Sequence, residues 1–317
     1  MMILCPGQGA QAVGMGKAWA ASSPEARAIF DTADEVLGDS LGTPLSELCF
    51  NGPAERLNKT DAAQPAIYVT SVASWHGVCA VAGHDPAEAP LAATAGLSLG
   101  EYTALHVAGA VSFEDGLRLV TLRGRAMQDA AEAVPSSMVA LIGADEETAS
   151  ALCERVLARI DDEADRVLVP ANFNAPGQVV ISGTTAACDL AEQLAGEAGL
   201  RATRLSVAGA FHSPLMAPAA DRLAEALESV EFSPPRCPVM SNVTGGPHDA
   251  EPESIKRRLI EQLTSPVRWA EDCAYINEHI GPRTGAVPFE LAPGKTLAGL
   301  MRRIDRGVKV TSNDMPG

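Results

Sequence analysis

Residues 91–108 have the sequence LAATAGLSLGEYTALHVA. A short apolar segment over 91–95 leads into a turn that contains glycine, and good helix formers follow the turn. A strand, a sharp turn and a helix in this order predict one unit of a parallel α/β sheet. Gly96 and Gly100 flank Ser98 with the spacing of a nucleophile elbow, a turn so tight that the serine hydroxyl is exposed. A loop that only caps a helix explains the pattern alone equally well.

The chain begins with the same kind of unit. Residues 1–5 are apolar and predict a strand that runs into a glycine turn. Gly7, Gly9 and Ala12 match the dinucleotide fingerprint, but no acidic residue ends a second strand about 20 positions further on. We expect instead that Gln8 presents its side chain and backbone to a site.

Two longer segments predict helices. Ser112, with Asp115 three residues on, is a typical N-cap and predicts a helix that reaches about Ala133. The longest uncharged stretch, 62–84, is long enough to span a bilayer, but its polar residues and its proline favour a buried helix of a globular protein.

Between Met138 and Leu205 the hydrophobic pattern changes. We predict strands over 138–142, 167–172, 178–182 and 202–207, and helices over 146–160 and 185–198. The order β-α-β-β-α-β is that of a ferredoxin-like unit, so we expect an insertion into the parallel sheet rather than its continuation. Ser213 and Pro214 then predict the start of a further helix.

Composition limits the function classes. The 317 residues are 46% hydrophobic and 20% charged, which is typical of a globular chain with a sizeable core. There are 40 acidic and 24 basic side chains, and the net charge of −16 argues against binding to nucleic acid or to an anionic membrane. Seven cysteines without a Cys-x-x-Cys pair fit neither a disulfide framework nor a zinc site. We therefore expect a reducing compartment, the cytoplasm. Neither a metal nor a nucleotide cofactor is expected.

A nucleophilic serine needs a base, and the chain has six histidines. His212 follows a predicted strand and precedes a predicted helix, where active-site loops usually lie. His106 is the alternative, but on the elbow helix it points away from the Ser98 hydroxyl. A surface or satisfied core histidine is the usual role for any one of the six.

Arg123 and Gln262 are polar residues at positions that the helical pattern buries. Apolar neighbours surround Arg123 on its helix, and a buried guanidinium must have a partner. That partner is either a protein carboxylate such as Glu101 or a carboxylate of the substrate, held by both prongs of the guanidinium. Gln262 interrupts an apolar stripe and either satisfies a loop carbonyl or supports a site.

Seven sequence blocks, in order, resemble the malonyl-CoA:acyl carrier protein transacylases and the acyltransferase domains of polyketide and fatty acid synthases. The resemblance covers almost the whole chain. The blocks are CPGQGAQ (5–11), GLSLGEYTAL (96–105), LVTLRGRAMQ (119–128), ANFNAPGQVVISG (171–183), GAFHSPLM (209–216), QLTSPVRW (262–269) and FELAPGKTLAGL (289–300).

The resemblance implies a role for each candidate residue. Ser98 is expected to be the nucleophile that carries the acyl group, His212 its general base and Arg123 the group that binds the malonyl carboxylate. The backbone N–H groups of Gln8 and Leu99 are expected to form the oxyanion hole. A main-chain carbonyl at Gln262 is expected to orient the histidine in place of an acid, and Asn174 to line the site.

The resemblance also implies the architecture and the partners. We expect an α/β-hydrolase-like catalytic subdomain with a parallel sheet (1–130 and 206–317) and an inserted ferredoxin-like βαββαβ subdomain (131–205). The expected enzyme is a monomer that uses malonyl-CoA and an acyl carrier protein. Such carriers are acidic, so the basic clusters Lys256-Arg257-Arg258 and Arg302-Arg303-Arg306-Lys309 are either solvated faces or a docking surface.

This chain departs from the family pattern at two positions. Leu97 stands where the family usually has histidine, and Ala292 stands where it usually has glycine. Phe211, before His212, resembles the malonyl-selecting members, because a bulky ring leaves less space for an α-methyl branch.

Two other functions fit the same residues. A thioesterase or esterase would use the elbow serine and the histidine with water as the acceptor, although it would have no need of a buried Arg123. A scaffold that binds a carrier without catalysis would need none of these three residues.

Overall fold

A computed structural model describes all residues from 1 to 317. The ten strands are β1 Met2–Cys5, β2 Ala93–Gly96, β3 Ser136–Ile142, β4 Leu168–Ala175, β5 Gln178–Thr184, β6 Arg201–Arg204, β7 Met240–Ser241, β8 Gly246–Pro247, β9 Pro288–Leu291 and β10 Thr311–Asn313. The fourteen α-helices are α1 Lys17–Ser22, α2 Pro24–Leu37, α3 Leu45–Asn51, α4 Ala54–Leu57, α5 Thr60–Ala82, α6 Gly100–Val107, α7 Phe113–Ala133, α8 Glu146–Leu157, α9 Thr185–Ala195, α10 Ala217–Glu228, α11 Pro252–Gln262, α12 Trp269–Tyr275, α13 Gly281–Thr284 and α14 Thr296–Ile304. The protein is therefore a mixed α/β structure.

One sheet is parallel, with the strand order β10-β9-β1-β2. Alternate side chains of β1 enter different cores: Ile3 and Cys5 lie in the largest hydrophobic cluster, and Met2 and Leu4 in another. Helices thus cover both faces, as parallel sheets require. The strand, turn and helix predicted around Ser98 are confirmed as β2 and α6.

Helix α5 crosses the interior of the large core. Nearly all of its residues from Thr60 to Cys79 are buried, and it packs against α2 and α7. The prediction of a buried helix over the uncharged stretch is confirmed. No helix of the structure combines the length and the apolar character needed to cross a bilayer.

The second sheet is antiparallel, with the strand order β4-β5-β3-β6. It has its own core of 17 buried residues, to which α8 and α9 contribute. The predicted order β-α-β-β-α-β is confirmed, and four predicted ends were wrong by three residues. Helices α8 and α9 end at Leu157 and Ala195 rather than 160 and 198, and strands β4 and β6 end at Ala175 and Arg204 rather than 172 and 207. Leu205 still donates its N–H to the Met138 carbonyl of β3, and with the three residues that follow it lines a cleft.

The two sheets are joined where β4 meets the loop before α12. Val267 donates its N–H to the Ala171 carbonyl, and its own carbonyl accepts the N–H of Phe173. These bonds hold the antiparallel sheet beside the carboxyl ends of β1 and β2. A cleft lies between these strand ends and the antiparallel sheet.

Candidate active site

The cleft between the two sheets has a volume of about 670 Å³. Residues from both sheets line it, and among them are Gln8, Ser98, Arg123, Asn174, Phe211 and His212. Six positions that the sequence analysis singled out thus meet in one place, although they come from distant parts of the chain.

Ser98 lies at the turn between β2 and α6. Its backbone has φ 52°, a left-handed value that a residue with a side chain rarely adopts. A Cβ on Gly96 would lie 1.9 Å from the backbone of Gly100, and one on Gly100 would lie 2.1 Å from the Cys5 carbonyl oxygen. Only glycine fits at either position, and the tight turn directs the hydroxyl into the cleft.

His212 completes a hydrogen-bonded chain with Ser98. Its Nε2 lies 2.8 Å from Ser98 Oγ, and its Nδ1 lies 2.8 Å from the backbone oxygen of Gln262. Because a carbonyl can only accept, Nδ1 carries the proton, and Nε2 of the neutral ring is free to accept from the serine hydroxyl. His212 has φ 58°, the only positive φ besides that of Ser98 at a residue other than glycine.

The charge state of His212 follows from its surroundings. Burial, and secondarily the charge of Arg123, lower the pKa of this imidazole to about 4, against the opposing effect of the Gln262 carbonyl. The ring is therefore neutral at physiological pH and has the lone pair that a general base needs.

Arg123 extends from α7 to the same hydroxyl. Its side chain is buried, and Nη2 donates to Ser98 Oγ (3.1 Å) and to Gln262 Oε1 (3.0 Å). Nη1 donates to Gln64 Oε1 at 2.8 Å, while Nε has no partner. The guanidinium also lies over the Tyr102 ring, 5.4 Å from its centre. All of its hydrogen-bond acceptors are neutral.

Glu101, the protein carboxylate considered for Arg123, has other partners. Its Oε1 lies 2.7 Å from His248 Nε2, and its Oε2 accepts from Gln262 Nε2 and from the backbone of Asn242. The candidate pairing of Glu101 with Arg123 was wrong, because the side-chain amide of Gln262 lies between the two groups and bonds to each of them. Arg123 forms no ion pair with an acidic side chain, and the charge of Glu101 acts on it only from a distance.

Two backbone N–H groups are available beside the serine. Those of Gln8 and Leu99 make no hydrogen bond within the chain. The opening turn packs tightly against the elbow, since a Cβ on Gly7 would lie 2.2 Å from the Leu97 carbonyl oxygen. No helix follows this turn until α1 starts at Lys17, so the glycines do not form a phosphate-binding helix start.

The remaining predicted site residues differ in their contacts with the cleft. The side-chain amide of Gln262 donates to the Ser98 carbonyl, and its backbone orients His212. Asn174 lines the cleft with a buried Oδ1 that has no partner, and Phe211, only 5% exposed, forms part of the wall. His106 does not approach the cleft: its Nδ1 bonds to the Val111 carbonyl.

The two positions at which the chain departs from the family pattern have different surroundings. Leu97 lines the cleft next to Ser98 and supplies an apolar side chain there. Ala292 is fully buried, without a positive φ, and hydroxyls of Ser71 and Ser74 hydrogen-bond its backbone. The backbone at this position does not require glycine.

Sequence reasoning missed Gln64 and Asn242. Gln64 bonds to Arg123, and the signal for it in the sequence was an amide within the long uncharged stretch. The structure shows that this amide is fully buried. Asn242 accepts the Ser98 N–H at 2.6 Å, and nothing in its local sequence indicates this contact.

The arrangement can activate a hydroxyl for nucleophilic attack, supply two N–H donors to an oxyanion and hold an anionic group beside the reacting atoms. No cluster of three or more His, Cys, Asp or Glu side chains has a geometry that could hold a metal ion. All seven cysteines are free and buried.

Known proteins resemble this chain over nearly its whole length. The sequence profile of the acyl transferase domain family matches residues 2–302. A malonyl CoA-acyl carrier protein transacylase of Bacillus subtilis is 42% identical over 315 residues, which cover 99% of this chain and 93% of the relative. The crystal structure of an acyl carrier protein S-malonyltransferase from Vibrio cholerae has a TM-score of 0.86 at 40% identity, covering 99% of this chain and 96% of that chain. A structure of a type II PKS acyl-carrier protein in complex with its malonyl-transacylase has a TM-score of 0.87 at 37% identity, with the same coverage.

Proposed function

Because this chain belongs to the acyl transferase domain family, we propose that it transfers a malonyl group from coenzyme A to the phosphopantetheine thiol of an acyl carrier protein. The observation that carries this proposal is the position of Arg123. Its buried guanidinium lies 3.1 Å from Ser98 Oγ and has no carboxylate partner in the protein. When malonyl-CoA binds with its thioester carbonyl beside Ser98, the free carboxylate of the malonyl group would supply that partner.

In the first half-reaction, His212 Nε2 takes the hydroxyl proton of Ser98 while Oγ attacks the thioester carbonyl. The N–H groups of Gln8 and Leu99 stabilise the oxyanion of the tetrahedral intermediate. Collapse of the intermediate breaks the carbon–sulfur bond, and the CoA thiol leaves with the proton held by His212. The product is a malonyl ester of Ser98.

In the second half-reaction, the carrier thiol gives its proton to His212 and attacks the serine ester. The tetrahedral intermediate then expels Ser98 Oγ, which regains its proton from His212. A covalent intermediate between two separate acyl acceptors gives ping-pong kinetics. Throughout, the Gln262 carbonyl holds the imidazole in the tautomer that leaves Nε2 free.

The subdomain assignment also belongs to this proposal. We propose an α/β-hydrolase-like catalytic subdomain (1–130 and 206–317) and a ferredoxin-like insertion (131–205). The all-parallel order of one sheet and the antiparallel order β4-β5-β3-β6 of the other support it.

The carrier is proposed to dock beside α14. Thr296 and Leu300 of this helix line the cleft, and Arg302, Arg303 and Arg306 line an adjacent surface hollow. None of the three arginines forms an ion pair, whereas Lys256 and Arg258 of the other basic cluster are paired with glutamates. An unpaired positive surface next to the cleft suits an acidic carrier.

We place the enzyme in a reducing compartment, the cytoplasm, because its seven cysteines are free. We also propose that it acts as a monomer without nucleic acid or membrane partners, which agrees with its net charge of −16.

Replacing Arg123 with alanine tests the proposal. We expect kcat/KM for malonyl transfer to fall by about 100-fold or more, because the substrate carboxylate loses the buried cation beside Ser98. Transfer of acetyl, which has no carboxylate, should fall less or rise. The measurement is the mass gained by the intact enzyme after incubation with a series of acyl-CoAs, followed by steady-state kinetics with a carrier.

Ser98→Ala is the control for the covalent step, and it should gain no mass from any acyl-CoA. Malonyl kinetics unchanged in Arg123→Ala would contradict the proposed role of the guanidinium. Rapid release of free malonate by the wild-type enzyme without a carrier would instead favour a hydrolase.

A further inference from the structure

A buried polar cluster lies behind the nucleophile elbow, on the side of Ser98 that faces away from the cleft. The cluster consists of Glu101, Asn242, His248, Gln262 and Asp272. The side chains of all five are fully buried, and none of the five lines the cleft. Burying this many polar and ionisable groups is unfavourable unless each is held by hydrogen bonds, so their arrangement has to be specific.

Asn242 bonds directly to the elbow. Its Oδ1 accepts the N–H of Ser98 at 2.6 Å, and its Nδ2 donates to the Gly96 carbonyl at 2.8 Å. One side chain thus spans the turn on both sides of Leu97. The backbone of Ser98 has a left-handed φ that persists only where the surroundings enforce it, and these two bonds do so.

Glu101 and Asp272 hold Asn242 in place. Glu101 Oε2 accepts the backbone N–H of Asn242 (3.0 Å), and Asp272 Oδ2 accepts from Asn242 Nδ2 (2.8 Å). Burial, and next the charge of Glu101, raise the pKa of the Asp272 carboxyl well above its usual range. His248, at 2.7 Å from the other oxygen of Glu101, completes the cluster.

The same Glu101 oxygen links the elbow to the other site groups. It accepts from Gln262 Nε2 at 2.7 Å. Gln262 in turn accepts from Arg123 through Oε1 and from His212 through its backbone carbonyl. Asn242 and Glu101 therefore connect the hydroxyl, the guanidinium and the imidazole from behind, without touching a substrate.

We propose that Asn242 is a positioning residue for acyl transfer, which holds the strained backbone of Ser98 so that its hydroxyl stays in line with His212. This rests on the proposed function only in the identity of the acyl group. Loss of Asn242 changes the rate of attack by Ser98 on any acyl or sulfonyl donor, and leaves the cleft that binds the substrate unchanged.

The experiment compares three variants with the wild-type enzyme. Asn242→Leu removes both hydrogen bonds at similar size, and Asn242→Asp keeps the acceptor. Ser241→Ala is the matched control, since Ser241 is the neighbouring buried residue and its hydroxyl has no hydrogen-bond partner. Folding of each is checked by circular dichroism and thermal unfolding.

In Asn242→Leu we expect kcat for malonyl transfer to fall by about 100-fold, with KM for malonyl-CoA within about threefold of wild type. Labelling of Ser98 by phenylmethylsulfonyl fluoride should slow by a similar factor. This reagent carries no malonyl group, so its labelling rate tests Asn242 even if the proposed acyl donor is wrong. Ser241→Ala should match wild type in all three measurements.

Asn242→Asp provides a pH signature that a merely structural role would not produce. Burial near Glu101 and Asp272 raises the pKa of the new carboxyl, and His248, which bonds to Glu101, is the basic member of the cluster. The protonated acid can accept from Ser98 and donate to Gly96, whereas the carboxylate can only accept. We therefore expect the labelling rate of this variant to fall at least about tenfold as the pH rises from about 6 to about 9, relative to wild type.

The proposal is overturned if folded Asn242→Leu labels and transfers at the wild-type rate, or if it raises KM alone. The proposal is also overturned if the labelling rate of Asn242→Asp depends on pH in the same way as that of the wild type. This result remains decisive if the leucine variant does not fold. Failure of the wild-type enzyme to accept malonyl, with normal sulfonyl labelling, would instead contradict only the proposed function.

Discussion

At His212, burial and the charge of Arg123 keep the imidazole neutral, with a pKa lowered to about 4. The neutral form is the active form of a general base, so activity is lost only as the pH falls through that pKa. We expect kcat/KM for malonyl-CoA to stay flat from about pH 8 down to about pH 5, whereas an ordinary histidine would lose half its activity near pH 6.5. The pH profile is measured alongside circular dichroism to exclude unfolding.

The profile of kcat should differ from that of kcat/KM. A bound malonyl carboxylate neutralises Arg123, which removes the charge that disfavours the imidazolium, so the pKa of His212 rises in the complex. Activity in the complex should therefore begin to fall at a higher pH. A decline of kcat/KM centred near pH 6.5 would contradict the first expectation, and profiles of kcat and kcat/KM that coincide would contradict the second.

Phe211 lies in the cleft wall, just before the proposed base. Replacing it with serine opens space for an α-methyl branch, and a single methyl group changes discrimination by about 1–3 kcal/mol. We expect Phe211→Ser to raise kcat/KM for methylmalonyl-CoA about tenfold relative to malonyl-CoA. Competition between the two thioesters, read as adduct mass on Ser98, measures the ratio. An unchanged ratio would mean that another residue of the cleft sets the preference for malonyl over methylmalonyl.

The sequence predicted the residues that carry a strong local signal. Ser98 lies between two obligatory glycines, and Arg123 is a charge on a buried helix face, so both are visible within a few positions. Gln64 and Asn242 are not, because each reaches the site only through contacts between segments far apart in the chain. The partner of Arg123 likewise depends on long-range packing. The sequence alone therefore could not exclude Glu101.

The start of α7 offers a test at the level of a single element. Ser112 Oγ accepts the N–H of Asp115, as predicted from the sequence. Ser112→Ala should lower the free energy of unfolding by about 1 kcal/mol, because a helix N–H loses its acceptor. Denaturant unfolding measures it. Ser40→Ala, at an exposed serine without such a bond, should change stability by less than about 0.5 kcal/mol, and an equal loss in both would contradict the capping role.

Elements with strong periodicity and clear ends were predicted most accurately. The six elements of the antiparallel unit were found in the right order, because alternation and helical spacing are local properties. The end of β6 was misplaced, since residues 205–207 have strand-like composition but line the cleft, and only Leu205 still bonds to β3, through its N–H and the Met138 carbonyl. The pairing order of the parallel sheet, with β1 between β2 and β9, depends on contacts that no local pattern contains.

Across the whole molecule, charge is distributed unevenly, and this predicts how the carrier binds. Reversal of Arg302, Arg303 and Arg306 to glutamate should raise KM for the carrier by about tenfold at low salt, with a smaller effect at high salt. Reversal of Arg257 and Arg258, in the cluster where Lys256 and Arg258 are paired with glutamates, is the control and should change KM by less than about threefold. Equal effects in both variants would point to a general loss of positive charge rather than to a docking site.

The strand order of the parallel sheet has a consequence for folding. Ile3 of β1 pairs with Phe289 of β9, although most of the chain separates the two residues. Until this pairing forms, one edge of β1 has unpaired backbone groups and an apolar surface, which favour association with other chains. We expect closure of this sheet to be slow, because bringing such distant segments together costs conformational entropy.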